Sequence, residues 1–567
     1  MAGEDFVRDH DHRADHAVAD AGRKQVLALR SLACLRPPCA RHWELESQFV
    51  RALVRADLVG RRRRRFPRLP TVMSTYRFSP SGCAVGVAVV LMTTAISPRH
   101  AIAQSTNSPP PAPRRPNIIF ILTDDLGYGD LSCYGQAKFA TPNLDKLASE
   151  GIRFTSFYAG STVCTPSRAA LMLGQHTGHL NLRGNVRQGT LLPHEVTVAE
   201  VLKRAGYRTC LIGKWGLADA ALPGVPQKKG FDEFVGYLEN VHAHDYYPEF
   251  LWRYDPPGEA KKEFDGKFQF PENAGGKKGL YIPDLCTQAA LNFIRYSKPD
   301  QFNRYRPFFL CLNYTIPHAN NELGSRTGNG MEVPTDAPYS NEPWPQPEKN
   351  KAAMISRLDG YLGKLLARLK ELKIEDNTVI FFSSDNGPHK EGGVKPEFLQ
   401  SSGPFRGHKR DLTEGGIRVP MIVRWLGAIK PGQVSDFVWA SWDFLPTAAE
   451  IARAEPPKGI DGISVLPSLF GRSQTNRHEY FYWEFHEKGF KQAMRMGDWK
   501  AIRLKPDERL ELYDLKSDAG EKADVADQNP EVVKKIEELL KTARTESERW
   551  PIRQPPEQPA AGGKAKS

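Results

Sequence analysis

Asn117-Ile-Ile-Phe-Ile-Leu-Thr-Asp-Asp-Leu-Gly-Tyr128 joins an uninterrupted apolar run to a pair of carboxylates. A run without polar alternation has no face to offer water, so Asn117–Thr123 reads as a strand buried on both faces of a parallel sheet. Similar runs recur at Thr209–Ile212, Pro307–Tyr314, Asn377–Ser383 and Pro420–Trp425. Between them lie helical patterns at Asn143–Glu150, His194–Ala205, Asp284–Tyr296 and Lys349–Leu372. The last carries Met354, Leu358, Leu362, Leu366 and Leu369 at helical spacing. Strands alternating with helices predict an α/β fold, a large and mainly parallel or mixed sheet sandwiched by helices, over residues 116–455. Past that point the texture changes. Tyr480–Phe485, Lys491–Leu504 and Leu510–Leu515 predict antiparallel strands and Pro530–Ala543 a closing amphipathic helix, a small C-terminal α+β subdomain over 456–548. Residues 549–567 are a Pro/Gly/Lys tail with too few apolar groups to fold.

The 567 residues are 40% apolar and 10% aromatic, enough for a sizeable core, which excludes a wholly disordered chain. A net charge of +12 suggests a polyanion partner until its position is considered. Residues 1–72 hold 15 Lys+Arg against 9 Asp+Glu, and residues 73–115 add four Arg and no acid. Ten of the twelve charges therefore precede Pro116, and no nucleic-acid partner is expected. From Met73 the chain reads as a signal peptide over 73–103. Arg77 supplies the positive region, Gly82–Ile96 the apolar one, and Ala101-Ile-Ala103 the small residues for cleavage near Ala103. Its 15-residue apolar span falls short of the roughly 20 that cross a bilayer, so no stable membrane association is expected. The longer uncharged stretch Phe78–Pro98 keeps an uncleaved anchor as the alternative. Residues 104–115 have a linker's Pro, Ser and Ala. Export signals stand at the start of a chain, so Met73 is the expected start and 1–72 an untranslated basic extension, with a disordered arm as the alternative. The protein is expected to be exported, periplasmic or secreted. Cys34, Cys39 and Cys83 lie in this N-terminal part; Cys133, Cys164, Cys210, Cys286 and Cys311 remain. Five sparse cysteines are no disulfide scaffold, which leaves room for one to do chemistry.

Asp124-Asp125 sits beyond the carboxyl end of the first strand, where open α/β sheets bind ligands. Asp385-Asn386-Gly-Pro follows another strand at the same end. Three carboxylates and an amide oxygen are hard ligands, suited to Ca²⁺ or Mg²⁺ and poorly to zinc. Either pair alone would be an ordinary turn or cap. Cys164-Thr-Pro-Ser-Arg168 opens a helix expected over Ser167–Leu173, whose N-terminus favours an oxyanion. Gly213-Lys214-Trp215 and Pro317-His318 follow two further strands, and Lys409 stands five residues before Glu414-Gly-Gly-Ile-Arg-Val-Pro420.

On these residues, and above all on the Cys164–Arg168 string, the chain resembles the type I, formylglycine-dependent sulfatases of the alkaline phosphatase superfamily, over about Arg115 to Ala543. The resemblance implies an alkaline-phosphatase-like sheet and a sulfuric ester hydrolase, an exported sulfatase acting on O-sulfate esters. It implies that a formylglycine-generating maturation enzyme oxidises Cys164 to 3-oxoalanine, whose hydrate is the nucleophile. One hydroxyl attacks sulfur, and the other then expels sulfate by re-forming the aldehyde, an exit that Cys or Ser lacks. It further implies calcium held by Asp124, Asp125, Asp385, Asn386 and the modified Cys164. Arg168 would hold the formylglycine hydroxyl, Lys214 and Lys409 the sulfate, and His318 the sulfate and the leaving oxygen. One departure stands out. Many members read Gly-Lys-Trp-His, and here Gly216 takes the place of that His. His244, and less favourably His242, in His242-Ala-His-Asp-Tyr-Tyr-Pro248 is expected to take over contact with formylglycine or substrate; a specificity loop with surface histidines is the competing reading. Aromatics and charges in Tyr246–Tyr254 suit sugar rings, so a sulfated saccharide leads as substrate over a small sulfate ester. The alternatives are a phosphonate or phosphodiester hydrolase on the same scaffold and an inactive metal-binding pseudo-sulfatase.

Overall fold

Every residue of the strand β1 (Asn117–Thr123) is buried, as its unbroken apolar run requires. The computed structural model describes residues 114–255, 265–298 and 305–552. The basic extension, the signal segment, most of the linker and the tail beyond residue 552 lie outside them. In chain order follow β2 (Ile152–Phe154), β3 (Phe157–Tyr158), β4 (Arg208–Lys214), β5 (Glu233–Tyr237), β6 (Phe250–Tyr254) and β7 (Asp265–Gln269). Then come β8 (Phe308–Asn313), β9 (Thr378–Ser384), β10 (Met421–Trp425), β11 (Gln433–Ser435) and β12 (Trp439–Ala440). Ten of these form one sheet in the order β11-β2-β10-β9-β1-β8-β4-β5-β6-β7, while β12 pairs with β3. Its centre, β9-β1-β8-β4-β5, is parallel throughout, and β10 and β6 run antiparallel to their neighbours. The sheet is therefore mixed with a parallel core.

Helices flank the sheet. On one face Ile118, Phe120 and Leu122 share a core with Ala169 and Met172 of the helix Cys164–Leu173 and with the helix Phe444–Ala452. The Phe120 and Phe444 rings meet edge to face at 4.5 Å. The helix Gln346–Glu371 buries all five apolar residues of its expected stripe. It is joined to the helix Ile282–Ser297 by Arg357, whose guanidinium lies 2.7 Å from Asp284. Among the described residues, no helix is long and apolar enough to cross a membrane.

The C-terminal sheet has four antiparallel strands, β13 (Phe481–Phe485), β14 (Lys491–Met496), β15 (Trp499–Arg503) and β16 (Glu511–Asp514). The single strand expected over Lys491–Leu504 is in fact a hairpin, because Gly497 at φ +62° supplies the left-handed residue that its turn needs. Helix Pro530–Leu540 closes the unit, with Ile536 and Leu540 against Tyr482, Met494 and Leu512. Lys500 Nζ, fully buried, lies 2.8 Å from both Glu414 and Glu521 carboxylates and so ties this sheet to the loop that follows Lys409. Tyr246–Tyr254, expected as a wall of aromatics, contributes the strand β6 through Phe250–Tyr254.

Candidate active site

Register places the carboxylates. Thr123 of β1 pairs with Ser384 of β9, so the next residues, Asp124 and Asp385, leave the sheet side by side. The Asp125 N–H donates to Asp385 Oδ1 at 3.2 Å, with Asp125 at φ +65°. On the other side of β1, Gly213 of β4 pairs with Asn313 of β8, which delivers Lys214 and, a few residues later, His318 to the same edge. Gly213 has no substitute: a Cβ there would lie 1.9 Å from the Asn313 carbonyl oxygen, at φ +100°. The helix begins at Cys164 itself, three residues before the expected start, and all of its residues are buried.

These elements bring together every one of the metal and core catalytic candidates. The Cys164 thiol donates to Asp124 Oδ1 at 3.3 Å, and Lys214 Nζ lies 2.7 Å from Asp124 Oδ2. Arg168 lies 2.7 Å from Asp385 Oδ2 and 3.5 Å from Asp124 Oδ2. Asn386 Nδ2 donates to Asp125 Oδ1 at 2.6 Å, and Lys409 Nζ to Asp125 Oδ2 at 2.9 Å. His318 Nε2 stands 3.1 Å from Lys409 Nζ and 3.4 Å from Asp125 Oδ2. His244 reaches the rim of this cluster: its ring stacks on that of His318 with centroids 4.9 Å apart, and its Nδ1 lies 3.0 Å from Glu322. His242 packs on Phe250 and on the edge of Tyr237 instead.

Burial governs the electrostatics. Against burial, Lys214, with His318 and Arg168, holds Asp124 well below the usual carboxylate range. Burial and then the neighbouring Asp124 charge push Asp385 up to about 7. Burial also raises the Cys164 thiol, helped by Asp124, so an unaltered thiol here stays protonated and is a poor nucleophile. The Asn386 Oδ1 atom is buried with no hydrogen-bond partner among the described residues. Donor atoms of Asp124, Asp125, Cys164 and His318 all lie within 4.8 Å of one another. Within and beside this group, the oxygens of Asp124, Asp125, Asp385 and Asn386 are hard donors that fit a divalent cation bound through oxygen, whereas the thiol and the imidazole are softer ones.

Some residues of the site were not expected. Glu322 partners His244, and Glu391 stands 3.8 Å from Lys409. Asn313 Nδ2 donates to the Lys214 carbonyl at 2.9 Å. Asn313 carried a signal, a polar residue closing an apolar run; Glu322, in the first turn of the short helix Asn321–Thr327, and Glu391, in a loop, carried none. All five cysteines among the described residues are free.

Family models, curated relatives and solved structures all match this chain. A family model described as sulfatase matches residues 116–454, and one described as N-sulphoglucosamine sulphohydrolase, C-terminal, matches residues 405–546. An N-acetylgalactosamine-6-O-sulfatase of Bacteroides thetaiotaomicron is 30% identical over 503 residues, covering 76% of this chain and 94% of its own. The N-acetylgalactosamine-6-sulfatase of Sus scrofa is 34% identical over 392 residues, covering 65% and 69%. Among solved structures, Ps i-CgsB in complex with k-i-k-neocarrahexaose superposes with a TM-score of 0.64 at 27% identity, over 78% of this chain and 94% of that one.

Proposed function

The chain belongs to the sulfatase family and is a sulfuric ester hydrolase, and from that premise we propose that it removes O-sulfate from a sulfated carbohydrate through a formylglycine made from Cys164. One observation carries this reading: the Cys164 thiol opens a buried helix at 3.3 Å from Asp124, inside a ring of oxygen ligands and cations. A deeply buried, protonated thiol is inert as it stands, and oxidation to the aldehyde is what gives the position a function. The relatives support the saccharide. One is named for 6-sulfated N-acetylgalactosamine, and the Ps i-CgsB structure holds a neocarrahexaose.

Asp124, Asp125, Asp385 and Asn386, with residue 164, would hold calcium. When bound, it supplies positive charge to the sulfate oxygens and lowers the pKa of a hydroxyl at residue 164. Arg168 is fixed by Asp385 and orients that hydroxyl from one turn along the same helix. Lys214 and Lys409 hold the sulfate. Against burial, Asp124 and Asp125 respectively raise the two lysines, so both stay cationic. His318, whose Nε2 accepts the Lys409 N–H, relays a proton from Lys409 to the departing sugar oxygen. His244, stacked on His318 and braced by Glu322, touches the sugar at the mouth. The uncharged run inside 73–103 supports export, and a maturation enzyme is the protein partner this chemistry requires.

The test has two arms. Mass spectrometry of the Cys164 peptide, from protein made with a formylglycine-generating enzyme, is expected to show the aldehyde. Parallel assays are expected to show turnover of sulfated oligosaccharides and aryl sulfates well above that of phosphodiesters. An unmodified thiol in active enzyme, or faster phosphodiester cleavage, would overturn the reading.

A further inference from the structure

Residue 216 carries no side chain, and its backbone sits at φ +73°. A Cβ built there would lie 3.0 Å from Asn240 Oδ1, 3.4 Å from Arg168 Cδ and 3.8 Å from Lys214 Cε. Asn240 thus converges with two of the site's cations on a single point. Two atoms near that point are buried without a hydrogen-bond partner among the described residues: Asn240 Oδ1, an acceptor, and Arg168 Nε, a donor. Leaving such groups unpaired is destabilising, and more so where the group is charged.

The rest of Asn240 is already engaged. Its Nδ2 donates to Thr165 Oγ1 at 2.8 Å, and Thr165 Oγ1 donates to the Gly216 carbonyl at 3.1 Å. This chain fixes which end of the amide is nitrogen, so the oxygen is the end left free. Thr165 directly follows Cys164, which ties the arrangement to the nucleophile position. An unpaired donor and an unpaired acceptor on two sides of a missing side chain are satisfied together by one group that accepts and donates, a hydroxyl.

We propose that Asn240 is a positioning residue of this site, its amide oxygen accepting a hydrogen bond from a hydroxyl seated against Gly216 between Asn240 and Arg168. The proposal rests on the sulfatase reading above. The hydroxyl belongs either to the hydrated side chain at residue 164 or to a water that bridges to it. An amide oxygen takes no proton at ordinary pH, so Asn240 orients the hydroxyl and does not act as its base.

The test uses the matured full-length enzyme and three variants. Asn240→Leu keeps the volume and removes both amide ends; Asn240→Asp keeps an acceptor; Thr165→Val removes the brace on Nδ2 together with the hydrogen bond to the Gly216 carbonyl. For each, kcat and KM on an aryl sulfate are measured with the aldehyde content of residue 164 and its rate of oxime formation with a hydroxylamine probe, which reports unhydrated aldehyde. Asn240→Leu is expected to lower kcat by about 30-fold or more with KM within about threefold, while Asn240→Asp and Thr165→Val stay within about fivefold of wild type. Oxime formation several-fold faster in Asn240→Leu assigns the hydroxyl to residue 164; an unchanged rate beside the same loss of kcat assigns it to water. The proposal is overturned if Asn240→Leu keeps kcat within about threefold, or if Thr165→Val reproduces the whole loss, which would make Asn240 a brace only. Asn240→Ala replaces the leucine variant if that one does not fold. Wild-type enzyme that carries the aldehyde yet turns over no sulfate ester would count against the functional reading alone, because the oxime rate still reports the contact.

Discussion

Lys409 Nζ donates to His318 Nε2 across 3.1 Å, while His318 Nδ1–H donates to the Ala319 carbonyl at 2.7 Å. The imidazole is therefore oriented at both nitrogens, with a lysine proton aimed at the nitrogen that faces the site. Such a pair serves a leaving group that needs a proton. His318→Ala is expected to lower kcat/KM on a saccharide sulfate by about 100-fold or more, since an alkoxide is a poor leaving group. On 4-nitrophenyl sulfate, whose phenolate leaves unaided, the loss is expected to stay within about tenfold. Equal losses on both substrates would show that His318 binds sulfate and transfers no proton.

Asp124, Asp125 and Asp385 are held within hydrogen-bond reach of one another's backbone or partners, and Asn386 Oδ1 has no partner among the described residues. Removing the cation that this set fits should leave the carboxylates to repel. Dialysis against a calcium chelator is expected to lower activity to below about a tenth and to reduce Tm by several degrees, with Ca²⁺ restoring both and Zn²⁺ restoring neither. Full activity in protein shown by elemental analysis to hold no divalent ion would contradict the assignment of these four residues.

His244 meets the site through a ring stacked 13° from the plane of His318 and through Glu322. Burial, and then the Lys214 cation, lower its pKa, so it is a neutral imidazole at neutral pH. His244→Ala is expected to reduce kcat/KM on the saccharide by more than about threefold, or roughly 0.7 kcal/mol of transition-state stabilisation. Glu322→Gln, which keeps a hydrogen-bonding partner, is expected to cost less than His244→Ala. Should the alanine variant stay within threefold, the specificity-loop reading of this segment holds instead.

The legible part of the site follows from one physical regularity. Each of Asp124, Asp385, Lys214 and His318 stands just past, or at, the end of an apolar run long enough to be a buried parallel strand, and parallel strands end together. Cys164 and Arg168 were readable because their string is specific. Asn240 was not: it lies in Glu239-Asn-Val241, a loop with no periodicity, and its importance arises from a glycine 24 positions earlier in the chain. The strands β5 to β7, at one side of the sheet, were missed for a related reason: β5 and β6 mix buried and half-exposed residues, β7 alternates half-exposed and exposed ones, and none has the continuous apolar signal. Gly497-Asp498 is a two-residue hairpin signal between runs of strand composition, so this turn was legible although Lys491–Leu504 reads as one strand by its apolar content.

Away from the site, Glu484 makes stability a function of pH. The carboxylate is fully buried in β13 and accepts hydrogen bonds from Arg183 at 2.8 Å, Arg544 at 2.9 Å and His486 at 2.9 Å. Burial alone would raise its pKa; the His486 hydrogen bond and the two guanidinium groups override it and bring it from 4.5 down to about 2. A carboxylate depressed in the folded state stabilises fully above its unfolded pKa, and that contribution is lost as pH falls through the folded value. The window is therefore 4.5 to about 2, and the contribution at neutral pH is of order 3 kcal/mol. Glu484→Gln keeps the shape and leaves Arg183 buried without its counter-charge, while Arg544 keeps Glu546 at 2.8 Å; breaking a buried pair in this way typically costs about 3–5 kcal/mol. Urea denaturation of both proteins is expected to show a gap of several kcal/mol at pH 7 that narrows at each step from pH 4.5 towards pH 3. A gap that stays constant across that range would mean that the glutamine disturbs packing and that the charge of Glu484 contributes nothing.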